Sequence, residues 1–159
     1  MTLKIVERPA QIMVGLQIRT TPMSPEIPAL WPKFVPRIDE IANSNEARVS
    51  YGVMRHEAGP PRVLHYAAAV SVSAAGPIPA GMESLTLPAG MYALFSYPLS
   101  GLSKGFQEIF ERLLPSSGYA QLPGQPFFER YGAAFDAGNP ASQVEIYVPV
   151  RRRDVQLTP

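Results

Sequence analysis

Glu145 and Tyr147 are the first residues to weigh for chemistry, because they alternate with Val144, Ile146, Val148 and Val150 in the last apolar run of the chain. A strand has a period of two, so the valines and the isoleucine share one face and Glu145 and Tyr147 point together to the other. If that other face lines a cavity, Glu145 is a carboxylate on a partly apolar floor. Its charge must then be met by a cation or by hydrogen-bond donors. If the face is solvated, Glu145 stands in water or pairs with a neighbouring arginine such as Arg130, and both readings are open at this point. Six of the seven tyrosines, Tyr51, Tyr66, Tyr92, Tyr97, Tyr131 and Tyr147, fall in strand-like stretches. With Trp31, the single tryptophan, they could wall a pocket, and a carboxylate among aromatic faces suits a lipophilic cation. Taken one at a time, each also fits as an ordinary packing residue.

Other chemistries are poorly supplied. The chain has no cysteine, which removes disulfides, thiolate nucleophiles and cysteine metal sites. His56 and His65 have no partner at ligand spacing, so no metal and no cofactor are expected. There is no G-x-S-x-G, no phosphate-cradling glycine loop and no H-E-x-x-H. Gly52 marks either a bulge or a close approach to a ligand.

The elements that must position these residues read as one α+β domain over 1–150, followed by a tail at 151–159 that carries Arg151, Arg152 and Arg153. The length allows a continuous core, and the net charge of +1 gives no electrostatic case for nucleic acid. No apolar run approaches a membrane span and charge comes too early for a signal peptide, so a cytoplasmic protein is expected. Residues 3–7 and 11–19 read as a strand pair or one bent strand broken at Pro9-Ala10. A helix at 27–44 follows, with Pro32 and Pro36 predicting an irregular or kinked first half. Strands at 47–56 and 63–73 complete a first unit. The second unit runs through strands at 83–87 and 91–97, a helix at 102–114, and strands at 126–134 and 143–150. Pro9-Ala10 falls on Pro88-Ala89, and Val70 and Val72 fall on Val148 and Val150. Two pseudo-symmetric β-α-β-β repeats, about 3–73 and 83–150, follow from that order, with a mainly antiparallel sheet, two long helices on one face and a central ligand cleft.

Several stretches together resemble the GyrI-like small-molecule-binding domains, the effector-binding domains of AraC-type and MerR-type bacterial transcription activators. They are Ile27-Pro28-Ala29-Leu30-Trp31, Tyr51-Gly52-Val53, the strand through Tyr66, Leu87-Pro88-Ala89-Gly90-Met91-Tyr92-Ala93, Phe128-Glu129-Arg130-Tyr131 and Val144 to Val150. The resemblance implies a duplicated fold with a central pocket. It also implies that Glu145 faces that pocket and meets cationic ligands, with Trp31, Tyr92 and Tyr147 as walls. Where the family often ends its fourth strand with an acidic residue, this chain reads Ala69-Val70-Ser71-Val72, which makes the pocket or its rim less negative.

Three functions are carried forward. The first is capture of an aromatic or cationic lipophilic compound by Glu145, Tyr147, Trp31, Tyr92, Tyr66 and Tyr131, in a drug-sensing or transcription-regulating setting. The second is hydrolysis of an electrophilic small molecule, with Glu145 as acid or base and Tyr92 as hydrogen-bond donor. The third is a gyrase-inhibitor-like protein interaction. Each long helix stands alone between strands, so direct DNA binding is not expected and neither is a membrane partner; a protein partner (a regulator or gyrase) and the oligomeric state stay open.

Overall fold

The computed structural model describes residues 3–153. Within them the order is β1 (Lys4–Arg8), β2 (Gln11–Thr20), α1 (Glu26–Phe34), β3 (Ser50–His56), β4 (Leu64–Val72), β5 (Glu83–Leu87), β6 (Gly90–Pro98), α2 (Leu102–Glu108), β7 (Tyr119–Gln121), β8 (Phe127–Tyr131) and β9 (Gln143–Arg152). The α1 helix runs into a 3-10 segment, Val35–Glu40, and α2 into a π-helical turn, Ile109–Leu113. The expected irregularity of the first helix therefore falls in its second half, not its first. Pro32 sits inside regular α-helix, and the change of pitch comes where Pro36 removes the next amide. The short β7 had no signal of its own. At the end, β9 continues through Arg152, two residues into the stretch read as a tail, while 154–159 lie outside the described residues.

The strands form one antiparallel sheet in the order β1-β6-β9-β8-β3-β4-β2-β5, with β7 added against the end of β9. β1 and β2 do not pair with each other. β1 lies on β6 of the second unit, and β5 returns the exchange by lying on β2 of the first. Six strand spacings, about 29 Å in a flat sheet, separate β1 from β2. Pro9-Ala10 must cross that gap, and two residues span at most about 11 Å. Pro88-Ala89 makes the same demand between β5 and β6. The sheet therefore curls until its ends approach, and the two Pro-Ala pairs are the links that require it.

Curling gives the sheet an inner and an outer face. The inner face holds Met13, Tyr51, Leu87, Tyr92, Phe128 and Tyr147 without help from a helix. Arg8, from the edge strand, reaches across it to stack on Tyr147 and Phe128, 4.5 and 5.4 Å from the ring centres. The outer face carries both helices: Leu30 and Phe34 of α1 and Ile109 after α2 join Tyr66, Val70, Phe95, Ile146 and Val148. α1 rests on β2 and β4, and α2 on β6, so the central pair β3 and β8 runs between the helices. In that pair Gly52 lies opposite Glu129, 77 positions apart. That separation matches the repeat offset to within a residue or two, which places the pseudo-two-fold axis at this pair.

α2 sits close to the sheet because Gly105 carries no side chain. A Cβ there would stand 2.7–2.8 Å from the ring of Tyr97, whose hydroxyl donates to Glu108 Oε1 on the same helix at 3.0 Å. Gly105→Ala should cost about 1–3 kcal/mol by forcing the helix off the ring. Urea unfolding measures this, and an unchanged midpoint would contradict the packing described.

Candidate functional site

At the axis a carboxyl group is buried. Glu129 is 5% exposed, and two hydroxyls converge on its Oε1, Tyr66 donating at 2.8 Å and Tyr131 at 2.9 Å. The indole Nε1–H of Trp31, on α1, donates in turn to the Tyr66 hydroxyl at 3.0 Å. Trp31 also packs edge-on against Tyr131, with ring centres 5.3 Å apart. Two strands and one helix thus gather four side chains, with two hydroxyls on one carboxyl oxygen. Among the described residues no hydrogen bond reaches Oε2, which leaves that oxygen for another partner.

The local reasons lie in strand parity and in one glycine. Glu129 and Tyr131 alternate with Phe128 and Arg130, so the first pair faces out toward the helices and the second faces in. Tyr66 stands on β4 and Glu129 on β8, with β3 between them. They meet across β3 because position 52 is bare. A Cβ on Gly52 would collide with both Glu129 Oε1 and the Tyr66 hydroxyl and would come 2.9 Å from the ring carbon bearing it. Gly52 is thus not a bulge but the gap through which the hydrogen bond passes.

The six residues expected to wall one pocket are divided between the faces. Trp31, Tyr66 and Tyr131 gather at Glu129 on the outer face. Glu145, Tyr147 and Tyr92 stand on the inner face and do not meet them. Glu145 accepts from Arg130 Nη1 at 3.1 Å and from the Tyr147 hydroxyl at 3.2 Å, with its side chain 36% exposed. Arg130 also holds Glu46 at 3.3 Å, and Glu46 accepts from Tyr51 at 2.6 Å. The Tyr92 hydroxyl donates to the carbonyl of Pro88 at 2.6 Å. Of the two readings of Glu145, the pair with Arg130 is the geometry found. No role for Glu129 is read from the sequence, although its spacing from Tyr131 places both on one face of the strand. His56 stacks on Phe127, and His65 pairs with Glu57 at 2.6 Å. Among the described residues no three His, Cys, Asp or Glu side chains form a metal-binding group.

Electrostatics at Glu129 oppose each other. Burial pushes its carboxyl up to about 7, against the pull of the two tyrosine hydroxyls. Burial, followed by the neighbouring carboxylate, pushes both tyrosines well above their ordinary range, so they remain donors. The unfolded chain releases the Glu129 proton near the ordinary 4.5, while the folded chain keeps it to about 7. Between those values the folded state binds more protons, and stability falls as pH rises. The full cost, about 3 kcal/mol, is reached above pH 7. Glu129→Gln should therefore gain on the native protein by that order at pH 8 and far less at pH 4.5. Urea midpoints at the two pH values decide it, and an equal difference at both would refute the assignment.

Comparison with known proteins agrees with this architecture. Residues 1–151 match the family described as the GyrI-like small molecule binding domain. The chain is 35% identical over 150 residues to the transcriptional regulator BrlR of Pseudomonas aeruginosa. The match covers 92% of this chain and 54% of BrlR, so the chain spans about half the length of that relative. Among solved structures it is similar to SAV2435 bound to tetraphenylphosphonium, with a TM-score of 0.76 at 18% identity, covering 95% of this chain and 94% of that one. It is also similar to the EcmrR C-terminal domain, with a TM-score of 0.69 at 13% identity, covering 96% and 98%. Among the described residues no helix is long and apolar enough to cross a membrane. The nine-stranded antiparallel sheet, the two helices and the match over nearly its whole length make this chain a member of the GyrI-like small-molecule-binding family.

Proposed function

We propose that the domain captures a lipophilic aromatic cation in the cleft between α1 and α2, with Glu129 as its charge partner and Trp31, Tyr66 and Tyr131 as its walls. The observation that carries this reading is the buried carboxyl with both hydroxyls on one oxygen and none on the other. A cation at Oε2 would supply the compensation that burial withholds, and aromatic faces around it would add about 0.5–2 kcal/mol each. The tetraphenylphosphonium bound by SAV2435 is a ligand of this chemistry. The likeness to a transcriptional regulator supports a sensing role, in which capture of the compound is read out by a regulatory partner or domain. Glu145, paired with Arg130 on the inner face, is left out of the proposed contact set.

Binding of tetraphenylphosphonium followed by Trp31 fluorescence tests this. Capture needs the ionised carboxylate, so affinity is highest above pH 7 and falls about tenfold per pH unit below it. Glu129→Gln should weaken binding at pH 8 at least tenfold, whereas Glu145→Gln should leave it within about twofold. Affinity that ignores pH and Glu129 but follows Glu145 would reverse the assignment.

A second reading rests on the same group. A carboxyl that titrates near 7 beside two hydroxyls is suited to moving a proton, as in hydrolysis of an electrophilic small molecule. Turnover of an epoxide probe that Glu129→Gln abolishes would favour it, and binding without turnover favours capture.

A further inference from the structure

We infer that Gly52 sets the charge selectivity of the cleft: by leaving β3 bare between Tyr66 and Glu129, it gives the carboxylate the donor that keeps it charged, and a side chain there would turn a cation site into one for neutral aryl compounds. This rests on the reading of Glu129 as the ligand's partner. The backbones of β4 and β8 are two strand spacings apart, roughly 10 Å. Tyr66 bridges that distance by leaning over β3, and its hydroxyl meets Oε1 directly above Gly52. A Cβ collides with both atoms of this hydrogen bond at once, so the hydroxyl and the oxygen cannot both stay.

Loss of that contact has a definite sign. A buried carboxylate is held ionised by its donors, and removing one of two favours the protonated, neutral form. The hydroxyl of Tyr66 is also the one backed by the indole N–H of Trp31, which makes it the better polarised donor of the two. A neutral carboxylic acid gives a cation nothing to neutralise, while apolar contacts to an aryl group persist. The pairing of the two repeats fits the same division: Gly52 and Glu129 stand opposite each other where β3 meets β8, so one repeat supplies the carboxylate and the other supplies the space it needs.

A methyl group also takes up room, so loss of affinity alone would say little. The informative readouts are the ratio of cation to neutral affinity and the pH midpoint of cation binding, neither of which crowding by itself would move. Methyltriphenylphosphonium and triphenylphosphine oxide, similar in shape and different in charge, serve as probes on the full chain, followed by Trp31 fluorescence. In Gly52→Ala the midpoint should rise by about one pH unit, so the ratio at pH 6, below both midpoints, should fall about tenfold. Tyr66→Phe removes the same hydroxyl without adding bulk and should move both readouts the same way, which keeps the test decisive if Gly52→Ala does not fold. Folded variants that keep the native ratio and midpoint overturn the role of Gly52 alone. A native protein with no preference for the cation overturns the Glu129 reading and this inference with it.

Discussion

A carboxyl group buried at the centre of a sheet must be protonated, heavily hydrogen-bonded or met by a cation, and Glu129 answers that constraint in part only. Two hydroxyls on one oxygen soften the cost of burial without cancelling it, and the group is left to titrate close to neutrality. Much of the surrounding structure serves this compromise. Gly52 clears the space, β4 and α1 supply Tyr66 and the indole that backs it, and β8 supplies Tyr131 two residues along from the glutamate. A site left incomplete in this way is one that a ligand of the right charge can complete.

The duplicated unit explains why such a site occurs at the middle of the molecule. The two halves meet at β3 and β8, and the axis between them runs through Gly52 and Glu129. Away from the axis the halves have diverged in character. Arg130, with its two glutamates, faces the inner side where the matching position of the first repeat is the buried Tyr51. Arg8 stacks on Tyr147 and Phe128 where the second repeat has the buried Leu87. One half closes the curl with charge on aromatic rings and the other with apolar packing. The same backbone plan tolerates either solution, because the crossover links impose the curl on both.

Much of this was legible in the sequence, and the part that was not has a physical cause. The order of elements, the repeat and the alternation of Val144, Ile146 and Val148 with Glu145 and Tyr147 could all be read from periodicity, and the structure places those two sets on opposite faces as the spacing required. Periodicity fixes which residues share a face, but not which face carries the helices. Spacing leaves both faces open to Glu145, and it is the family resemblance that implies the pocket side. The exchange of β1 and β5 between halves was likewise hidden, since strand partners depend on the path of the sheet and not on the strand's own residues. Gly52 could be flagged as a place of close approach, but what approaches it comes from two other strands.

The proposed capture makes Glu129 a buried carboxyl, titrating near neutrality, that a cation completes. Titrating the carboxyl carbons of a glutamate-labelled sample by NMR, with and without tetraphenylphosphonium and with Glu129→Gln for assignment, tests it most directly. Glu129 should titrate with a midpoint near 7 in the free protein, and that midpoint should fall when the cation is present. A Glu129 resonance that titrates in the ordinary carboxylate range, or one whose midpoint the cation does not move, would contradict it.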